Sequence, residues 1–239
     1  MAICMKPICI IPARAGSKGI PKKNIRTMGD KPLIAHTIES ALNSRLFDHV
    51  VVSTEDCKIA NISKQYGAEI PLMRPKKLAT DIATTDAVLI HAINELYSLG
   101  YKFEILCMRD CTVPFIDKAD MKGAIDLLIK SLGCESVFTV CRAHPNPYFD
   151  MFELTNSGYM RPSKTTGKPF TRRQDAPIVY SINGFYVHYA KKLLQAGKMF
   201  TARTLPYEIS KEHGYMIDYE IDFKIAEIMY KLKKRSHGS

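Results

Sequence analysis

Short apolar runs alternate with amphipathic stretches through the first 141 residues. Ile8 to Ile11, DHVVVST at 48–54, FEILCM at 103–108 and ESVFTVC at 135–141 are apolar on successive residues, which predicts strands covered on both faces in a parallel sheet. Between them Leu33/Ile34, Ile38 and Ala41/Leu42 recur at helical spacing. Val88/Leu89, Ala92/Ile93 and Leu96 do the same behind Thr84-Thr85-Asp86, a start that can cap a helix. EIPLM at 69–73 is strand-like. This β-α-β-α rhythm predicts an open, mostly parallel α/β sheet, and such sheets take ligands beyond the C-terminal ends of their strands. After Cys141 the rhythm breaks. Residues 143–183 carry five prolines, several aromatics and many cations with no helical period, which predicts an excursion of short strands and loops. The chain then returns through FYVHYA, a helix near 189–196 and a last amphipathic helix through Phe223, Ala226, Met229 and Leu232. No internal repeat or low-complexity segment is legible.

With 239 residues, 46% of them hydrophobic and 24% charged, the chain is long enough for one large domain over 1–239 and too short for a second full one. No run approaches the roughly 18 apolar residues of a membrane span, and the start lacks the apolar stretch of a signal peptide, so a soluble, cytoplasmic protein is expected. Seven cysteines scattered largely in apolar runs fit reduced core thiols, and Cys107 and Cys111 lack the spacing and His companions of a zinc site. The formal net charge of +10 suits nucleic acid, an anionic surface or acidic small substrates, and charge alone does not choose. Part of it lies in the terminal KLKKR run, a solvated helix end. Cations interleaved with clustered aromatics on a nucleic-acid motif are not present, so no nucleic-acid partner is expected.

The chemistry concentrates in five stretches. IPARAGSKGIPKKN, residues 11–24, lies between the first strand and the first helix. Its Gly16, Ser17 and Gly19 let backbone N–H groups converge on an anion, and Arg14, Lys18, Lys22 and Lys23 can neutralise it, so it is a polyphosphate loop candidate. It contains neither G-x-x-x-x-G-K-[ST] nor G-x-G-x-x-G. RPKKLATDIATT at 74–85 offers the five donors of Arg74 to the acceptors of a base, or else Arg74 pairs with a carboxylate and Thr84/Thr85 cap a helix. In MRDCTVPFID at 108–117, Asp110 is either a metal ligand or the ion-pair partner of Arg109 or another surface cation. FTRRQDAPIVYSINGFYV at 170–187 holds Arg173, whose planar guanidinium can clamp a carboxylate, or else R-R-Q-D is a charged turn with Asp175 pairing either arginine. In MIDYEIDF at 216–223, Asp218, Glu220 and Asp222 alternate along a segment read as extended, so all three tend to one face that can hold a hard cation, while Asp222 can instead cap the last helix. Of the histidines, His36, His91 and His188 read as structural, and no Ser-His-Asp order is legible.

Taken together, the 11–24 string, R-P-x-x-L-A-x-D from Arg74 and Arg-Arg-Gln followed by Asn-Gly resemble the sugar-acid cytidylyltransferases. These are the enzymes of the CMP-N-acetylneuraminate synthetase type, including the CMP-legionaminate and CMP-pseudaminate synthetases. The resemblance spans nearly the whole chain. It implies a Rossmann-like α/β fold of the nucleotide-diphospho-sugar transferase type, and transfer of CMP from CTP to a nonulosonic sugar acid with release of pyrophosphate and Mg²⁺ as cofactor. An enzyme acting on 3-deoxy-manno-octulosonic acid, or another nucleotidyltransferase, is the alternative. It further implies that Arg14, Lys18 and Lys23 hold the triphosphate with Ser17 and Asn24 beside them. Arg74 and Thr85 face the cytosine, Arg173 clamps the sugar carboxylate, and Thr112, Gln174 and Asn183 meet the sugar. His144 falls where relatives carry a His-Pro near the sugar. Residues 143–183 become a homodimerisation extension. Asp218, with Asp222, becomes the metal site, although Met216 stands where relatives carry a first aspartate. The loop after FEILCM departs from the usual Gln-Pro-Thr-Ser-Pro-Leu. Its Val113 and Phe115 are expected to receive the methyl groups of a 9-deoxy diacetamido acid, while the Arg-Arg-Gln and Asn-Gly matches favour sialic or legionaminic acid.

Overall fold

The computed structural model describes residues 5–17, 19–168 and 170–236. Among these residues ten strands and six α-helices follow in chain order. They begin with β1 (Ile8–Pro12), the two-residue strands β2 (Thr27–Met28) and β3 (Lys31–Pro32), α1 (Leu33–Ser44), β4 (His49–Ser53), α2 (Cys57–Gln65) and α3 (Thr85–Ser98). Then come β5 (Ile105–Arg109), α4 (Lys118–Lys130), β6 (Ser136–Arg142), β7 (Phe152–Leu154), β8 (Met160–Pro162), β9 (Tyr180–Tyr189), α5 (Ala190–Ala196), β10 (Thr204–Glu208) and α6 (Glu220–Ser236). Six strands form one sheet in the order β10-β6-β9-β5-β1-β4. All neighbours run parallel except β9, which is antiparallel to both β5 and β6.

Strand composition follows from burial on both faces. Along β1, Cys9 and Ile11 enter one core cluster while Ile8 and Ile10 enter the other, and β5 divides the same way, Ile105 and Cys107 against Leu106 and Met108. The first cluster also takes α1 through Ile34, Ile38 and Ala41 and α4 through Met121, Ala124, Ile125 and Leu128. The second takes α3 through Leu89, Ala92, Ile93 and Leu96, with Ala190 and Leu193 of α5. Each fully buried Ile, Leu or Met side chain among these contributes roughly 1.5–3 kcal/mol. Thr84 caps α3 by accepting from the Ala87 N–H at 3.2 Å, as the Thr-Thr-Asp start predicts.

Several expectations need correction. EIPLM forms no strand; it makes a single bridge, Glu69 to Val51. The excursion after Cys141 ends at residue 179, because β9 already begins at Tyr180. Within it β7 and β8 pair as a hairpin whose six residues are all exposed. On α6 the buried face is Phe223 and Ala226, packed on Ile20, Met28, Leu33, Phe115 and Ile217, whereas Leu232 is 59% exposed. The edge strand β10 gave no sequence signal, being short and carrying Pro206 inside it, a residue that edge strands tolerate. Among the described residues no helix is long and apolar enough to cross a membrane.

Candidate functional site

The loop after β1 folds back across the end of the sheet. Gly19 makes this possible: a Cβ there would overlap the carbonyl oxygen of Asp218, so only glycine lets the loop lie against the segment before α6. Lys23, in a single 3₁₀ turn at Lys23–Ile25, reaches the same segment, its amine donating to the Ile217 carbonyl at 2.8 Å and pairing with Asp218 Oδ1 at 3.3 Å. The Asn24 amide donates to the Arg14 carbonyl at 2.9 Å, and the Ala15 N–H donates to Glu55 Oε1 at 2.8 Å. Arg14 in turn donates to the Thr80 carbonyl at 2.9 Å and pairs with Asp81 at 3.0 Å, tying the loop to the 74–85 segment. Lys18 lies outside the described residues. The result is a cavity of about 570 Å³ at the C-terminal ends of β1 and β5, lined by Arg14, Ser17, Lys23, Asn24, Asp110, Thr112, Asp218 and Tyr219 among others.

Asp110 joins this cavity to a second of about 270 Å³, because it lines both, as do Pro12 and Arg14. Its N–H donates to the Gly184 carbonyl at 2.9 Å, and the Tyr186 hydroxyl donates to its Oδ2 at 3.2 Å. Burial pushes its carboxyl up to about 6, against smaller opposing effects from Tyr186, Arg109 and Lys23. Among the described residues Asp110 makes no ion pair with Arg109, one of the alternatives open for it. Successive residues leaving a strand face opposite ways, and the Arg109 guanidinium is fully buried and donates to the carbonyls of Val113 at 3.1 Å and Ile116 at 3.2 Å. Tyr186, the hydroxyl that orients Asp110, was not among the sequence candidates, since it sits in a strand that reads only as an apolar aromatic run.

The smaller cavity holds Arg74 and Thr85 on its wall, with Leu78, Thr80, Ala83 and Val88. Among the described residues Arg74 pairs with no carboxylate: its guanidinium donates to the carbonyls of Ser53 and Leu78, and its buried Nε has no hydrogen-bond partner. The guanidinium donors of Arg74 beside this space could meet the acceptors of a base.

The acidic segment before α6 is not extended. The helix begins at Glu220, so Asp218, Glu220 and Asp222 do not share a face. Glu220 makes a bidentate pair with Arg26 at 2.5 and 2.7 Å, and Asp222 Oδ2 accepts the N–H groups of Asp218 and Tyr219 at 3.0 and 2.7 Å, closing the helix start. Asp222 thus starts the helix, the alternative open for it, and does not line the large cavity, which Asp218 shares with the carboxylate of Asp110. Asp222→Asn is expected to lower stability by about 1 kcal/mol with activity nearly intact, whereas Asp218→Asn abolishes most turnover. Equal activity losses in the two variants, assayed side by side, would contradict the assignment.

Of the sugar-side candidates, Thr112 lines that cavity, whereas Arg173, Gln174 and Asn183 do not. Arg173 donates to the His144 carbonyl, pairs with Asp150 at 2.6 Å and stacks over Phe149, inside the excursion. Asp175 pairs with Arg172 at 2.9 Å, as the charged-turn alternative has it, and Gln174 is exposed. Asn183 is buried with its amide donating to the Gly214 carbonyl at 2.7 Å and its Oδ1 accepting from Ser181. Val113 is 0% exposed and Phe115 8%, both in core clusters, so neither receives a substrate methyl; this expectation is corrected. Gly184, at φ +66°, is where the chain makes room for Val113, since a Cβ there would overlap its side chain. His188 is buried, its imidazole pushed down to about 3 by burial, and His36 contacts the Met28 carbonyl at 2.8 Å, both structural as expected. A carboxylate–histidine group at Asp117, Asp120 and His213 belongs to the capping box that starts α4.

The family model described as Cytidylyltransferase matches residues 8–235. The chain is 35% identical to the pseudaminic acid cytidylyltransferase of Campylobacter jejuni, over 97% of this chain and 99% of that protein. It is 33% identical to the CMP-N,N'-diacetyllegionaminic acid synthase of the same species, over 96% of this chain and 97% of that one. A solved structure of a CMP:2-keto-3-deoxy-manno-octonic acid synthetase with CTP superposes with a TM-score of 0.72 at 15% identity, over 95% of this chain and 99% of that one, which shows the shared fold.

Proposed function

The chain belongs to the cytidylyltransferase family, and we propose that it transfers CMP from CTP to a nonulosonic sugar acid, releasing pyrophosphate. The observation that carries this reading is the convergence of Arg14, Lys23, Asp110 and Asp218 on one cavity that opens into a base-sized one beside Arg74. The anomeric 2-hydroxyl oxygen of the acceptor attacks the α-phosphorus of CTP, a new P–O bond forms as the bond to the β-phosphate breaks, and the hydroxyl proton passes to water. Lys23 and Arg14 neutralise charge that builds on the departing phosphates, and the loop fixes their positions before reaction. The similarity to the pseudaminic acid cytidylyltransferase and the CMP-N,N'-diacetyllegionaminic acid synthase supports the acceptor class.

The donor set fits Mg²⁺: two carboxylates, Asp110 and Asp218, face a cavity sized for phosphate oxygens, and hard oxygen donors in that number suit a cation that keeps its remaining sites for water and substrate. When bound, such an ion supplies charge for the α-phosphate. The setting we infer is cytoplasmic, because the nucleotide substrate is intracellular.

The homodimer rests on the excursion. Phe152, Leu154, Tyr159 and Met160 are 50–76% exposed on one hairpin, an apolar patch that a second copy would cover. Light scattering at micromolar protein is expected to give twice the monomer mass, and an active monomer would contradict the interface.

The function is tested by following pyrophosphate release with each of the four nucleoside triphosphates, Mg²⁺ and a panel of nonulosonic acids. Release is expected with CTP and not with ATP, GTP or UTP. Release independent of the acid, or with another nucleotide in preference, would overturn the reading.

A further inference from the structure

The C-terminal end of β4 is joined to both loops of the site. The Ser53 carbonyl accepts the Ala13 N–H at 2.9 Å and an N–H of the Arg74 guanidinium, and the Thr54 carbonyl accepts the Arg74 backbone N–H at 2.8 Å. Glu55 Oε1 accepts the Ala15 N–H at 2.8 Å. Three successive residues thus fix the start of the phosphate loop and the base-side Arg74 on one anchor, and Glu55 is its charged member. Glu55 lines neither the phosphate cavity nor the one beside Arg74, so it acts through its neighbours.

The seam between those cavities calls for a negative charge. Arg14 and Arg74 both line the smaller one and repel one another. Arg14 has Asp81 as its partner at 3.0 Å, whereas the buried Arg74 pairs with no carboxylate among the described residues. Burial pushes the Arg74 guanidinium down from the usual arginine range, the Glu55 carboxylate is the strongest charge opposing this, and Arg14 adds to the push. Glu55 does so without occupying the guanidinium. Its Oε2 and the Arg74 Nε are both buried without a hydrogen-bond partner, and Arg74 Nη1 reaches the Leu78 carbonyl only at 3.5 Å. That arm keeps its capacity for a base acceptor, which a bidentate carboxylate pair would have consumed.

Resting on the reading that CTP fills the two joined cavities, we propose that Glu55 is a positioning residue that couples them: one carboxylate oxygen fixes the phosphate loop at Ala15, and the negative charge holds the Arg74 guanidinium at the base cavity with an arm to spare. The two tasks separate by substitution. Glutamine keeps an acceptor for the Ala15 N–H and removes the charge, whereas aspartate keeps the charge and draws the oxygen back from Ala15 by one methylene.

The test is calorimetric binding of CTP and of inorganic pyrophosphate, with Mg²⁺ and no acceptor, to the wild type, Glu55→Gln, Glu55→Asp, Arg74→Ala and the Glu55→Gln, Arg74→Ala double variant. Glu55→Gln is expected to weaken CTP about tenfold, the scale of coupling within one charge network, and to leave pyrophosphate, which has no base, unchanged. On top of Arg74→Ala the same substitution is expected to add less than about twofold, because the charge acts through that guanidinium. Glu55→Asp is expected to weaken both ligands alike, through the loop. A glutamate that merely stabilised the fold would not separate the two ligands. Wild-type CTP affinity in Glu55→Gln, equal losses of CTP and pyrophosphate in it, an undiminished loss in the Arg74→Ala background, or pyrophosphate binding unmoved by Glu55→Asp would each overturn the coupling while leaving the cytidylyltransferase reading in place. A wild type that binds no CTP would overturn both.

Discussion

Asp110→Asn should reduce turnover by about 10²-fold or more while leaving the protein as stable as the wild type at neutral pH, or more so. The activity loss follows from removing one of two carboxylates that face the phosphate cavity, a loss on the scale of deleting a single preorganised electrostatic group. The stability result follows from linkage. Burial raises the Asp110 carboxyl from its ordinary 3.8 to about 6, so the folded state holds its proton more tightly than the unfolded chain does. The fold therefore loses stability as pH rises between those values and carries the full penalty above about 6. Asparagine carries no charge to desolvate and can still accept from the Tyr186 hydroxyl. Thermal melts at pH 3.5 and pH 8 check this: the variant's advantage should appear in full at pH 8, be about half as large at pH 5 and vanish by pH 3.5. In the wild type, kcat/KM should fall as pH drops through about 6, and added Mg²⁺ should move that limb lower because a cation competes with the proton. A variant both inactive and less stable at pH 8 would show that Asp110 is structural.

Lys23→Ala should cost about 10²-fold in kcat with the fold retained. The Lys23 amine sits between the Ile217 carbonyl and Asp218, at the edge of the cavity, where on the proposed reading negative charge builds on the triphosphate. Lys23→Arg should recover little, because a planar fork cannot take the compact site between those two oxygens. Single-turnover measurement at saturating CTP separates the chemical step from binding. A KM effect with kcat unchanged would make Lys23 a ground-state contact only.

Much of the fold was legible in the chain because most central strands are buried on both faces. β1, β4, β5 and β6 therefore read as unbroken apolar runs, and the helices between them keep one clean stripe. The antiparallel sense of β9 was not legible, since a run such as FYVHYA looks the same in either direction and only its insertion between β5 and β6 fixes it. The segment at 216–223 misled for a local reason. Alternating acids suggest an extended strand, but Asp222 reaches back to two N–H groups and starts a helix at Glu220.

Within the site, the residues that converge come from backbone turns whose spacing is visible in sequence: Arg14, Ser17, Lys23 and Asn24 in one loop, Thr112 and Asp218 against it. What sequence did not reveal was the direction of side chains. Val113 and Phe115 look available in a loop and are core, Arg173 looks free and is paired, and Asp110 gains its place from Gly184 and Tyr186, more than 70 positions away in the chain.

The most direct measurement is phosphorus NMR of a reaction containing the protein, CTP, Mg²⁺ and a nonulosonic acid. Two products are predicted in equal amounts, pyrophosphate and a CMP phosphodiester joined to the sugar's anomeric oxygen, with no signal for free phosphate or CDP. Consumption of CTP to CDP and phosphate, or no consumption with pseudaminic, legionaminic or N-acetylneuraminic acid, would contradict the account.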